Sequence, residues 1–169
     1  MWQKLKRIFT HCWLDESDVQ RAVPTELLQR LTRRVAASEQ RHTGEVRICV
    51  EAGLPVSYLW RGASARERAV MMFGKLRVWD TEHNNGVLVY LLLADRSIEL
   101  VADRGLNQHV SAAQWQAMVQ HLGAAIHDRR FEEGLTQALE EVSAVLVKHF
   151  ALAEGSLRHN ELPNAPFLN

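Results

Sequence analysis

Residues 87–93 are an almost unbroken run of Val, Leu and Tyr, and the patterns on either side of it organise the rest of the chain. A short run without a polar face suits a strand covered on both sides rather than an amphipathic helix. Ala94-Asp95-Arg96-Ser97 then supplies turn chemistry, and Ile98, Leu100 and Ala102 alternate with Glu99, Val101 and Asp103 at the period of a strand. The pattern predicts a buried strand hairpinned to a more exposed one. Antiparallel return carries Asp103 to the end of the sheet where Asp80, Glu82, Asn84 and Asn85 enter.

Upstream, Leu27, Leu28, Leu31 and Val35 recur on one helical face after Pro24, until Thr43-Gly44 stops the pattern. Val46, Ile48 and Val50 alternate with Glu45, Arg47 and Cys49, which predicts a first strand. A connection bearing Gly53, Pro55 and Gly62 follows, and Ser64 with Glu67 forms a capping box for a helix whose Val70, Phe73 and Leu76 are expected to face inward. Downstream of the hairpin, Ser111 with Gln114 opens a helix carrying Trp115, Met118, Val119, Leu122 and Ile126. After a break at residues 128–131, a last helix runs over about 132–150 with acids in its first turn. From Glu154 the pattern is loop-like, and Pro163 and Pro166 prevent a further helix. A crossover helix between the first two strands makes them parallel, so the order of elements predicts an α/β sandwich with a small mixed sheet. The chain divides into an amphipathic N-terminal segment (1–21), one α/β domain (22–153) and a C-terminal tail (154–169).

Composition narrows the function classes. Twenty basic and twenty acidic residues cancel, so no global field recruits nucleic acid, and such a partner is not expected. Cys12 and Cys49 are too few for a disulfide framework and show no metal-ligand spacing, which reads as buried or idle thiols. The apolar runs are far short of a membrane span, and the first thirteen residues lack the apolar core and small-residue cleavage site of a secretory signal. A cytoplasmic location is the resulting expectation, with peripheral contact at the inner membrane as its variant. Trp2, Leu5, Phe9 and Trp13 fall at helical spacing, with Lys4, Lys6 and Arg7 elsewhere on the wheel. Two readings stay open for residues 1–13: a segment packed on the domain or on a partner protein, or one lying weakly and reversibly on a membrane.

The motifs of the central block carry a family likeness. Asn85-Gly86-Val87-Leu88 opening an apolar strand, the charged turn Asp95-Arg96, Glu99 in a strand ending near Gly105, and Arg130-Phe131-Glu132-Glu133-Gly134-Leu135 opening the last helix together resemble the TPM domain. This family is named for a plant thylakoid-lumen protein, a photosystem-repair protein and a nematode receptor modulator. The likeness covers about residues 22–150. It implies a three-layer α/β/α sandwich, calcium binding in some members, a reported acid phosphatase activity in the plant one, and a common role in assisting membrane proteins. The chain departs from the family where relatives often read Gly-Tyr-Gly and it has Asp103-Arg104-Gly105. The signal sequence and membrane anchor that many relatives carry are not expected from its pattern.

Asp80, Glu82, Asn84, Asn85 and Asp103 offer the hard oxygen atoms that calcium prefers, from two neighbouring loops. Ordinary turn chemistry, with Asp80 as a cap and the amides shaping the approach to the strand, is the competing reading. No phosphatase nucleophile pattern is visible, and Arg41-His42-Thr43-Gly44 reads as the end of a helix rather than a phosphate-handling segment. Scattered histidines read as core or solvated residues. The functional expectation is a non-enzymatic accessory or binding domain that supports a membrane-associated assembly and takes calcium at the hairpin end. The alternative is a metal-dependent phosphomonoesterase in which Asp80 and Asp103 hold the metal.

Overall fold

The apolar run forms β2 (Val87–Leu92), every residue of which is buried. The computed structural model describes residues 2–153, 155 and 159–169, without the side chains of Gln3 and Lys4; the expectations touching Met1, the Lys4 side chain and Glu154 lie outside the described residues. β2 pairs in parallel with β1 (Val46–Glu51), Val46 opposite Val87, and antiparallel with β3 (Ser97–Ala102), Leu91 opposite Ile98. β3 is part-exposed at Ser97, Glu99 and Ala102, but Val101, expected on the exposed face, is buried against helices on that face.

Helices cover both faces of this sheet, which is why every residue of β1 and β2 is buried, Arg47 and Glu51 included. Alternation sends Val46, Ile48, Val50, Val87, Val89 and Leu91 to one side. There they meet α2 (Glu16–Ala22), α3 (Thr25–Glu39), α6 (Ala112–His127) and α7 (Phe131–His149) in the larger core. Cys49, Leu88, Tyr90 and Leu92 point the other way, against Leu59 of α4 (Val56–Arg61) and Ala65, Ala69 and Met72 of α5 (Ala65–Lys75). The result is the expected α/β/α sandwich with a mixed sheet. Both predicted capping boxes form, Ser64 with Glu67 and Ser111 with Gln114.

Three local expectations change. The Gly53–Gly62 connection contains α4, which starts after Pro55 and ends at Gly62 in the left-handed conformation. On α5 the inward face is Ala65, Arg68, Ala69 and Met72, with Phe73 and Leu76 only partly buried and Val70 turned to solvent. The reason is a charge: Arg68 makes two hydrogen bonds to the buried Glu51 carboxylate, at 2.7 and 2.6 Å, and this pair fixes the rotation of the helix. The tail adds a strand, β4 (Phe167–Leu168), parallel to β1, so the sheet order is β3-β2-β1-β4.

The N-terminal segment is helical, as α1 (Trp2–Trp13), but its face is the reverse of a core-packing helix. Ile8 and His11 turn inward, whereas Trp2, Leu5, Phe9 and Trp13 face outward, Trp2 and Trp13 being 82% and 85% exposed. Packing of that apolar stripe on the domain is therefore corrected. Polar anchoring decides the orientation: buried His11 accepts the Leu54 N–H at Nδ1 (2.9 Å), leaving its proton on Nε2 for Asp95 (2.8 Å).

Candidate functional site

The hairpin end gathers all five predicted ligands at one end of the sheet, yet the side chains of Asn84, Asn85 and Asp103 each already bond to a neighbour. Asn85 N–H donates to Thr81 Oγ1 and Asn85 Nδ2 to Thr43 Oγ1, both at 3.1 Å. Asn84, in the left-handed conformation at φ 50°, accepts Arg104 Nε at its side-chain oxygen (2.9 Å). Glu82 N–H donates to the Glu161 carboxylate. Gly86 is required by contact, since a Cβ there would stand 1.9 Å from the Val78 carbonyl oxygen.

Two oxygens remain unused: Asn85 Oδ1 and Asp103 Oδ2 are buried without a hydrogen-bond partner. They do not face one another. The ladder continues past the strands, with Asp103 N–H donating to the Gly86 carbonyl, so Asp103 leaves the sheet on the side where Gly86 meets Val78. Asn85 reaches Thr43 on the opposite face. Asp80 and Glu82 are exposed. Among the described residues no group of three or more His, Cys, Asp or Glu side chains is placed to hold a metal ion. The set therefore fits one shared calcium centre poorly, and Asp103 is the member whose chemistry most favours a cation. Its Oδ1 accepts the Arg104 N–H at 2.7 Å, and the second carboxylate oxygen is the orphan.

The opposite end of β2 is built differently. Asp95, in the β2–β3 turn, receives Arg7 at 2.8 and 3.3 Å and His11 at 2.8 Å, so three elements are tied together there. Burial raises the pKa of Asp95, but the hydrogen bonds from His11 and Arg7 outweigh it and hold the carboxyl down at about 2. Nearby, Glu51 also accepts Tyr90 Oη (2.8 Å) and Asn169 Nδ2 (2.9 Å), and burial with the adjacent carboxylate pushes the Tyr90 hydroxyl up, so it stays a donor. α4 packs beside α1 and adds exposed Val56 and Trp60 to the outward apolar surface. Sequence reasoning missed that contribution because α4 is a single short helix inside a Gly/Pro-bearing connection.

His42, in the Arg-His segment, is a core residue. Its Nδ1 faces the Gly44 carbonyl at 3.0 Å and its Nε2 faces Ser38 at 2.9 Å, with Ser143 completing a buried network. Cys49 is buried, and burial pushes its thiol well above the usual range, so it is unreactive; Cys12 is exposed. No described helix is long and apolar enough to cross a membrane.

Comparison with known proteins extends this picture. A solution structure of the BA42 protein from the psychrophilic bacterium Bizionia argentinensis superposes with a TM-score of 0.72 at 23% identity, covering 86% of this chain and 94% of that one. The N-terminal domain of a P. gingivalis protein superposes with a TM-score of 0.60 at 15% identity, covering 77% of this chain and 82% of that one. Both likenesses are of fold. The search of curated proteins gives no match. The sequence matches the TPM domain over residues 18–145, most of its length, and the chain therefore belongs to the TPM domain family.

Proposed function

We propose that this chain is a non-enzymatic accessory domain that docks on a membrane surface through the outward face of α1. The observation that carries the reading is the orientation of that helix: its polar side is bonded to the domain while two tryptophans, a leucine and a phenylalanine face solvent. Large apolar side chains gathered on one helix face signal an interaction surface, and tryptophans at its ends suit the water–lipid boundary. α1 contains no carboxylate, and Lys6 on its exposed side favours an anionic surface. The binding would be weak and reversible, as one short helix allows. Phe9→Glu with Trp13→Glu is expected to abolish co-sedimentation with phospholipid vesicles while leaving the melting temperature within a few degrees. Equal sedimentation of variant and parent would refute the reading, as would a parent that stays in solution and dimerises through this face.

A second reading keeps calcium, on Asp103 rather than on the whole predicted set, because a buried carboxylate oxygen without a partner is stabilised by a cation. Calcium is then expected to raise the melting temperature of the parent by mass action, and Asp103→Asn to remove the rise. Calorimetry showing no heat of calcium binding would dispose of it. The phosphomonoesterase alternative gains no nucleophile from the described residues and is left aside.

A further inference from the structure

Beside α1, outside the carboxyl end of β2, lies an open groove of about 980 Å3. Leu14, the residue after α1, lines it, and so does Arg96, the neighbour of the Asp95 that anchors α1. Ligands of open α/β sheets gather at this end of the strands. Six arginines and four carboxylates line the groove, an excess of two positive charges in a chain whose total is zero.

Most of that charge is committed. Arg21 pairs with Asp18, Arg30 holds Glu132 through two bonds of 2.9 Å, Arg130 pairs with Glu133, and Arg34 reaches Glu140. Glu26 adds its field to Arg30. Arg96 and Arg129 are left, and neither makes a side-chain hydrogen bond or ion pair among the described residues. They stand in two separate turns, β2–β3 and α6–α7, and both take the left-handed backbone conformation, at φ 47° and 62°. The groove walls also include apolar Leu27, Leu93 and Phe131. The first turns of α3 and α7 line it as well, and neither helix has a side-chain cap on its N–H groups.

We infer that this groove is a headgroup site for an anionic phospholipid, with Arg96 and Arg129 as the residues that hold the phosphate. Guanidinium groups bind phosphate oxygens in pairs, and the apolar walls accept the glycerol and the start of the acyl chains. The inference rests on the membrane reading of α1 and deepens it: the tryptophan face supplies contact with any bilayer, and the groove supplies selectivity for charge.

The test uses the full chain with vesicles of phosphatidylcholine alone or mixed with phosphatidylglycerol. Adding phosphatidylglycerol is expected to tighten binding of the parent about tenfold or more. Arg96→Asn with Arg129→Asn, substitutions that suit the left-handed backbone, should lose that gain and keep the weak binding to neutral vesicles. Arg77→Asn with Lys148→Gln removes two exposed charges elsewhere and should retain the gain. The inference is overturned if the groove variant matches the parent, if the control variant loses as much, or if soluble glycerol phosphate binds the groove while anionic vesicles give no gain. Failure of the α1 reading looks different: the parent then binds neither vesicle, and Phe9→Glu with Trp13→Glu changes nothing.

Discussion

The two ends of β2 use their polar groups in opposite ways. At the amino end, Thr43, Thr81, Asn84, Asn85 and Arg104 bond to one another, leaving the buried Asn85 Oδ1 and Asp103 Oδ2 over, and the loops close on themselves around Gly86. At the carboxyl end, Asp95 ties α1 to the sheet, while Arg96 one residue later is left facing a groove. A dense cluster of potential ligands in sequence is thus mostly a structural knot, with Asp103 Oδ2 and Asn85 Oδ1 as its unpaired remainder, and unpaired arginine lies where the sequence shows only a charged turn. Polar groups that are already paired have little to offer a ligand; unpaired ones near an apolar surface do.

The largest effect belongs to the strand that joins the two ends: Leu91 is fully buried between Val50 and Ile98, and Leu91→Asp would bury an unpaired carboxylate. That cost, several kcal/mol, is of the order of the whole stability of a domain, so no cooperative melt is expected by circular dichroism. A folded Leu91→Asp protein would remove the frame on which both ends are compared. A smaller effect separates the ends themselves. Asn85→Ala should destabilise by about 1 kcal/mol in urea unfolding, because it removes the Nδ2 donor to Thr43 while the backbone bond to Thr81 stays. Arg129→Asn should stay within about 0.5 kcal/mol of the parent, since nothing in the fold depends on its side chain. Similar losses from both would erase the distinction.

A graded effect is that of acid. The Asp95 carboxyl titrates at about 2 in the folded chain against 3.8 as its ordinary value, so its ionised form is favoured by folding. The stability it contributes is complete above the ordinary value and is lost as pH falls through about 2. The stability gap between Asp95→Asn and the parent is therefore expected to narrow as pH is lowered from 5 toward 2, and the helical circular dichroism of the parent should fall slightly in the same range as α1 loosens. A constant gap across that range would break the tie between Asp95 and α1.

Much of the scaffold was legible in the sequence because burial on two faces leaves a plain signature. The run at residues 87–93, the hairpin, the parallel first strand and both capping boxes follow from period and turn chemistry alone. The amphipathic pattern of α1 gave a helix but not its facing, since an apolar stripe points to a core only when nothing stronger orients the helix. Here His11 and Arg7 do so, through a turn more than eighty residues away. α5 repeats the lesson, with Arg68 rather than Val70 facing inward because Glu51 awaits it. The groove was invisible for another reason. Its arginines come from separate helices and turns, and no local spacing marks residues that only the fold brings together.

Without β4, β1 would be the open border of the sheet, its outward N–H and carbonyl groups a template for another chain to join. Phe167 and Leu168 pair with Cys49 and Val50 on that border, Asn169 extends the pairing with bonds to Val50 and Ala52, and Arg47 clasps the carbonyls of Pro163 and Ala165 to hold the tail in place. The tail thereby acts as a guard against intermolecular strand addition, and a chain cut between residues 154 and 158 would be expected to aggregate by its sheet edge before it lost any function carried by α1.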